Sequence, residues 1–185
     1  MDRIAIIGSS GSGKSTLARR VGARCGLPVV HMDQIYWTPG WVEQDPDVWR
    51  AGVDAAAAAD RWVIEGVGSS ASALRFARAQ VIVWLETPRW LCLWRALVRS
   101  FTSYGVVRPD IAPGCPEKID PAFYRYIWRW DRDTRPRLEE AIAAQAAQAR
   151  VLRLRSRSEA EAWLAGLPAA REGEDVSSAD AGTSR

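Results

Sequence analysis

The segment Gly8-Ser9-Ser10-Gly11-Ser12-Gly13-Lys14-Ser15-Thr16 constrains this chain more than any other part of it. It follows an apolar run at 3–7 and opens a stretch, 14–25, in which Leu17, Val21 and Cys25 recur every four residues. The pattern G-x-x-x-x-G-K-[ST] between a strand and a helix is that of a phosphate-binding loop. Its glycines let the backbone take positive φ and come close to phosphate oxygens. Successive N–H groups then form an anion nest at a helix N-terminus. Lys14 is expected to reach the β- and γ-phosphates of ATP or GTP, and the Ser15 hydroxyl to ligate Mg²⁺. Composition sharpens the case for the lysine. Of 25 basic residues only Lys14 and Lys118 are lysines. In a chain that uses arginine almost everywhere, Lys14 marks a place where a compact ammonium is needed.

Apolar runs alternate with amphipathic stretches along the rest of the chain. Strands are expected at 3–7, 29–32, 62–65, 80–85 and 151–154. Helices are expected at 14–25, 47–59, 70–77, 88–101, 122–131, 136–149 and 159–164. The 88–101 helix carries an apolar stripe at Trp90, Leu93, Trp94, Leu97, Val98 and Phe101. Such alternation implies an α/β fold with a parallel sheet and helices on both faces, whose ligands bind beyond the carboxyl ends of the strands. Residues 104–121 break the pattern with Gly105, Pro109, Pro113, Gly114, Pro116 and Pro121. That is long for a connector and reads as a lid. One domain is expected over 1–166, and a disordered tail over 167–185.

Other candidates fall at the strand ends or around the lid. Asp33 follows the second strand and Glu65 ends the third; an acid there could hold Mg²⁺ through water or position an attacking hydroxyl. An ordinary strand end or helix cap is the alternative. His31 reads as a strand residue. Tyr36, Trp37 and Trp41, around Pro39-Gly40, could stack on a planar substrate or simply anchor their own loop. Arg95 and Arg99 lie four apart on one helical face before the lid. Arg108 lies within it, and Arg125, Arg129, Arg132, Arg135 and Arg137 follow. Phosphoryl transfer is mostly positioning and charge stabilisation, so guanidinium groups on a closing lid suit it. A solvated basic face is the alternative for any one of them.

Bulk properties exclude several classes. No run reaches the roughly 18 apolar residues of a membrane span, and the N-terminus lacks a secretory pattern, so a cytoplasmic protein is expected. Three dispersed cysteines and one histidine fit neither a disulfide framework nor a closed zinc site. The net charge of +3 favours polyanions, which include nucleotides and nucleic acids alike.

Further stretches carry a family resemblance: IAIIGSSGSGKSTL, HMDQIYWTPGW, WVIEG, PRWLCLWR, RPDIAPGCPE and YIWRWDRDTRPRL. With them the chain resembles the adenylate-kinase-like P-loop NTPases of the "DNA topology modulation protein" group. The resemblance implies a nucleoside-monophosphate-kinase-like fold, a five-stranded sheet in the order 2-3-1-4-5, and the lid. It implies ATP with Mg²⁺, held by Gly8 through Thr16 with Ser15 and Asp33 toward the metal. It places Lys14, Asp33, Arg95, Arg99, Arg132 and Arg135 as catalytic candidates. The Asp-Gly of adenylate kinases is Glu65-Gly66 here, and their acceptor-gripping arginine has no clear counterpart. The expected activity is transfer of the γ-phosphoryl of ATP to a small acceptor, which could be a nucleotide. The alternatives are an ATP-dependent nucleic-acid-binding regulator and a plain ATPase. No DNA-reading module is recognisable.

Overall fold

The computed structural model describes residues 1–68 and 73–170. Strand β1 (Arg3–Gly8) runs into the phosphate loop, and helix α1 (Lys14–Cys25) leaves it. Gly26, at φ 64°, caps α1 with the left-handed conformation a glycine supplies without strain. Strand β2 (Val29–His31) passes directly into a short helix, α2 (Met32–Tyr36). Asp33 is therefore on a helical turn and not on an open strand end. A two-stranded ribbon follows, β3 (Trp37–Thr38) paired antiparallel with β4 (Val42–Glu43). It was expected only as an aromatic loop. Helix α3 (Pro46–Ala58) starts on the Asp45 side chain, which accepts from the Asp47 and Val48 amides.

Strand β5 (Trp62–Glu65) and strand β6 (Val81–Leu85) flank β1, with α4 (Ala73–Arg78) between them in the chain. The expected start of that helix, 70–72, lies outside the described residues. Helices α5 (Arg89–Thr102), α6 (Pro121–Asp133) and α7 (Arg135–Gln145) follow, then β7 (Arg150–Leu154) and α8 (Arg157–Ala165).

The sheet is parallel throughout, in the order β2-β5-β1-β6-β7. These labels depart from 2-3-1-4-5 because the ribbon β3–β4 intervenes. Counted over the five sheet strands alone, the succession is 2-3-1-4-5. Alternation along β1 sorts the core into two layers. Ala5 and Ile7 face a layer with Ile64, Ile82 and Trp84, covered by α3, α4 and α7. Ile4 and Ile6 face Val63, Val81 and Val83, covered by α1 and α8.

Two expectations need correction. The stripe on α5 is not its buried face. The helix buries Cys92, Ala96 and Ser100, while Trp90 and Trp94 are 63% and 62% exposed. Small residues face inward because α5 presses its backbone against the phosphate loop. The expected tail also begins too early. Leu167 is buried, Arg24 Nε donates to its carbonyl at 2.8 Å, and the Ala170 amide donates to the Arg24 carbonyl at 2.7 Å. The remainder, 171–185, lies outside the described residues. Among the described residues no helix is long and apolar enough to cross a membrane.

Candidate active site

Strand register gathers the first group of side chains. Ile6 of β1 pairs with Glu65, and Glu65 pairs with His31, so Glu65 and His31 meet at the carboxyl edge beside the phosphate loop. Their side chains bond, Glu65 Oε1 to His31 Nδ1 at 2.6 Å, both buried. Burial alone would raise the Glu65 carboxyl. The His31 bond, the Lys14 charge and the Ser15 hydroxyl outweigh burial and hold it below the usual carboxylate range. Glu65 Oε2 is buried with no hydrogen-bond partner among the described residues. His31, expected as a plain strand residue, is thus bonded to the acid beside the phosphate loop.

Asp33 lies on α2, in the first turn after β2. Burial pushes its carboxyl above the ordinary value, Glu65 and Asp110 adding to the shift while Lys14 and Arg108 oppose it. Lys14 is itself buried, at 7% exposure. It makes no hydrogen bond or ion pair among the described residues, yet it lies in the field of both acids. A buried ammonium in that condition is arranged to meet an anion that enters from outside.

The loop itself has the form of an anion cradle. Gly8, Gly11 and Gly13 take φ of 151°, 82° and 98°. A Cβ on Gly13 would meet nothing within 4 Å, so the backbone there borders open space. The Ser12 hydroxyl is buried without a partner among the described residues. A glycine-rich turn at a helix N-terminus, an unpartnered hydroxyl and an unpaired ammonium fit a polyphosphate. Ser15, with the orphaned Glu65 oxygen and Asp33 nearby, fits a hydrated Mg²⁺ held largely through water. No ready-made cluster of three His, Cys, Asp or Glu ligands exists among the described residues. The expected Ser15–Asp33 pair is therefore not a complete metal site without phosphate oxygens.

Gly11 is held from behind, where a Cβ would sit 2.3 Å from the Cys92 carbonyl oxygen of α5. Gly11→Ala therefore combines a backbone clash with a side chain at φ +82°. A loss of about 2–3 kcal/mol is expected, read as a melting temperature lower by roughly 5 °C or more. A variant that melts with wild type in scanning calorimetry would contradict this packing.

The arginines divide into two groups. Arg95 points at the loop, with Nη1 3.5 Å from the Gly11 and Ser12 carbonyls. Arg99 Nε lies 3.0 Å from Glu117 Oε1, and Arg108 Nε donates to the same oxygen at 2.6 Å. Arg108 Nη1 also donates to Asp110 at 2.5 Å, and Asp110 lies 3.8 Å from Arg19 of α1. Arg132 and Arg135 have carboxylate partners of their own, and Arg135 also lines a cavity with Ser9 of the phosphate loop. Arg132 is 68% exposed and bonded to its neighbour Asp133 at 2.7 Å. Arg135 is held by Glu86 at 2.8 Å and by Glu139. Both sit past the lid, where local carboxylates claim them.

The segment 104–120 is seated on the ribbon. Gln34 Nε2 donates to the Pro109 carbonyl at 2.6 Å, and Gly40 N to Gly114 O at 2.9 Å. Trp41 Nε1 donates to Pro116 O at 2.8 Å. Trp37 and Trp41 pack on buried Ile111, Ala112 and Cys115. The aromatic group therefore anchors the lid. Asp110 and Glu117, both buried, are the site residues that sequence reasoning passed over. Their only signal was two acids flanking a Pro-Gly turn. Burial would raise the Asp110 carboxyl, but Arg108 and the Ser15 hydroxyl hold it low. Glu117→Gln would strip a buried carboxylate from two guanidinium groups. A destabilisation of about 1–3 kcal/mol is expected in urea unfolding, and an unchanged midpoint would sink the clasp.

No family model matches the chain, and no curated protein does. Solved structures do. A shikimate kinase from Acinetobacter baumannii in complex with shikimate has 15% identity and a TM-score of 0.58, over 89% of each chain. A gluconokinase from Sinorhizobium meliloti has 19% identity and a TM-score of 0.52, over 89% of this chain and 91% of that one. A shikimate kinase from Bacteroides thetaiotaomicron has 17% identity and a TM-score of 0.52, over 89% and 94%. The chain thus shares its fold with these kinases. At such identity the likeness establishes fold alone.

Proposed function

We propose that this chain is an ATP-dependent phosphotransferase that moves the γ-phosphoryl group of ATP to a hydroxyl of a small acceptor. The observation that carries the reading is the raised Asp33 carboxyl, which lies in the electrostatic field of the unpaired Lys14 ammonium. A carboxylate with an elevated pKa is suited to accept a proton from a hydroxyl as it attacks. Asp33 takes that proton while the acceptor oxygen forms its bond to the γ-phosphorus and the bridge to the β-phosphate breaks. The nest amides and Lys14 hold the phosphates in line. Arg95 and Arg99 stand on the lid side, where charge spreads over the transferring oxygens. Glu65, fixed by His31, orients water on the metal side. Mg²⁺, when bound, would neutralise charge on the β- and γ-oxygens. The ribbon and its seated lid wall the acceptor side against bulk water, which suppresses wasteful hydrolysis.

The shared fold with small-molecule kinases supports this reading, as does the sequence resemblance to adenylate-kinase-like proteins. A cytoplasmic setting, where ATP is available, fits this reading. The DNA-linked alternative gains no support from the fold. A coupled ADP-release screen over sugars, polyols, hydroxy acids and nucleosides tests the proposal. One acceptor class should raise ADP formation at least about tenfold over the hydrolysis background. A panel that never exceeds background would remove the phosphotransferase reading.

A further inference from the structure

Helix α5 turns a large apolar face to solvent. Trp90, Trp94 and Phe101 are 63%, 62% and 67% exposed, and Leu97 lies on the same stripe. Their spacing of four, three and four residues places them on one side of a helix. Two residues past the helix end Tyr104 is 66% exposed, and beside the helix start Trp128 of α6 is 49% exposed under the Arg89 guanidinium. A few hundred Å² of contiguous apolar surface is usual on a monomer; larger patches mark interaction sites.

We infer that this face joins two copies of the chain, with α5 packed antiparallel on α5 about a twofold axis. Two observations select a second copy as the occupant. The first is the pattern itself. The stripe is balanced about a point midway between Trp94 and Leu97, with Trp90 and Phe101 equally far outside it. An isologous interface sets residue i against j and j against i. Antiparallel pairing about that point therefore seats Trp90 on Phe101 and Trp94 on Leu97, twice over. The second is area. At roughly 150–250 Å² for a fully buried aromatic side chain, the five exposed aromatics alone offer about 600 Å². With Val98 of the same helix, 39% exposed, the face reaches the lower end of the roughly 600–1,000 Å² that each partner gives a specific interface. The arginines of α5 do not oppose the pairing. Arg95 and Arg99 are turned to the loop and lid, and Arg89 lies on Trp128.

This inference is independent of the catalytic reading, because it needs no nucleotide. Sedimentation equilibrium on the full chain should return a dimer at micromolar concentration. Trp94→Glu, on an exposed position, should shift it to monomer by at least about a hundredfold in dissociation constant while melting as wild type. Paired cysteines at the expected contact, Trp90→Cys with Phe101→Cys, should cross-link under mild oxidant, and Trp90→Cys alone should not. A wild-type chain that stays monomeric at 100-fold higher concentration overturns the inference. So does a dimer indifferent to Trp94→Glu, or a monomer that sediments with phosphatidylglycerol vesicles.

Discussion

Lys14→Ala is expected to lower ATP-dependent turnover by about 10²–10³-fold, the usual cost of removing one preorganised charge from a transition state. The ammonium is buried at 7% exposure and makes no ion pair among the described residues. Its stabilising work is therefore reserved for an incoming polyanion. Affinity for Mg·ATP should fall as well, by roughly ten- to a hundredfold, because a charge-assisted contact is worth about 1.5–3 kcal/mol. Lys118 provides the control. It is 49% exposed beside Asp120 and lies outside the phosphate loop, and Lys118→Ala should leave both quantities unchanged. Equal behaviour of the two variants would mean that Lys14 merely fills space.

Asp33→Asn is expected to separate activity from stability. Turnover should drop by about 10²–10⁴-fold, since the hydroxyl proton loses its acceptor, while Mg·ATP still binds. Stability should move the other way. The Asp33 carboxyl is raised by burial, so its ionised form weakens the fold at neutral pH. Asparagine removes that cost, and the variant should melt higher than wild type near pH 8. As pH falls below the unfolded carboxylate value, Asp33 is protonated in both states and the advantage disappears. Glu65 supplies the opposite sign. Its carboxyl is held low by His31, Lys14 and Ser15 against the burial that would raise it. Its contribution is present above the unfolded value and lost as pH falls through the folded one. Glu65→Gln should therefore destabilise at neutral pH, by less and less toward acid. Differential scanning calorimetry from pH 4 to pH 8 checks both slopes. A lower melting temperature for Asp33→Asn at pH 8 would refute the assignment of its environment.

Much of this site was readable from the chain because the physics there is local. The phosphate loop needs only glycines, a lysine and the boundary between a strand and a helix, and all are contiguous in Gly8 through Thr16. The α1 boundaries emerged in full for the same reason, with Gly26 as the stop. The α5 stripe misled because helical periodicity reports an apolar face without saying what covers it. The covered face is the Cys92–Ala96–Ser100 side, whose small residues permit contact with Gly11. Asp110 and Glu117 were invisible because Arg19 and Arg99 reach them only after the chain folds back. Arg132 and Arg135 carry no sequence signal of which partner they take. Their competing carboxylates, Asp133 and Glu86, are settled by helix geometry and by the end of β6. The ribbon β3–β4 escaped notice because it is two residues per strand, too short for any periodic signal.

Titration calorimetry of the folded chain with Mg·ATP tests the cradle most directly. One nucleotide should bind per chain with saturable heat and a dissociation constant below about 1 mM, and the heat should collapse in Lys14→Ala. A wild-type protein that gives no heat with Mg·ATP or Mg·GTP at millimolar concentration would contradict the account at its root.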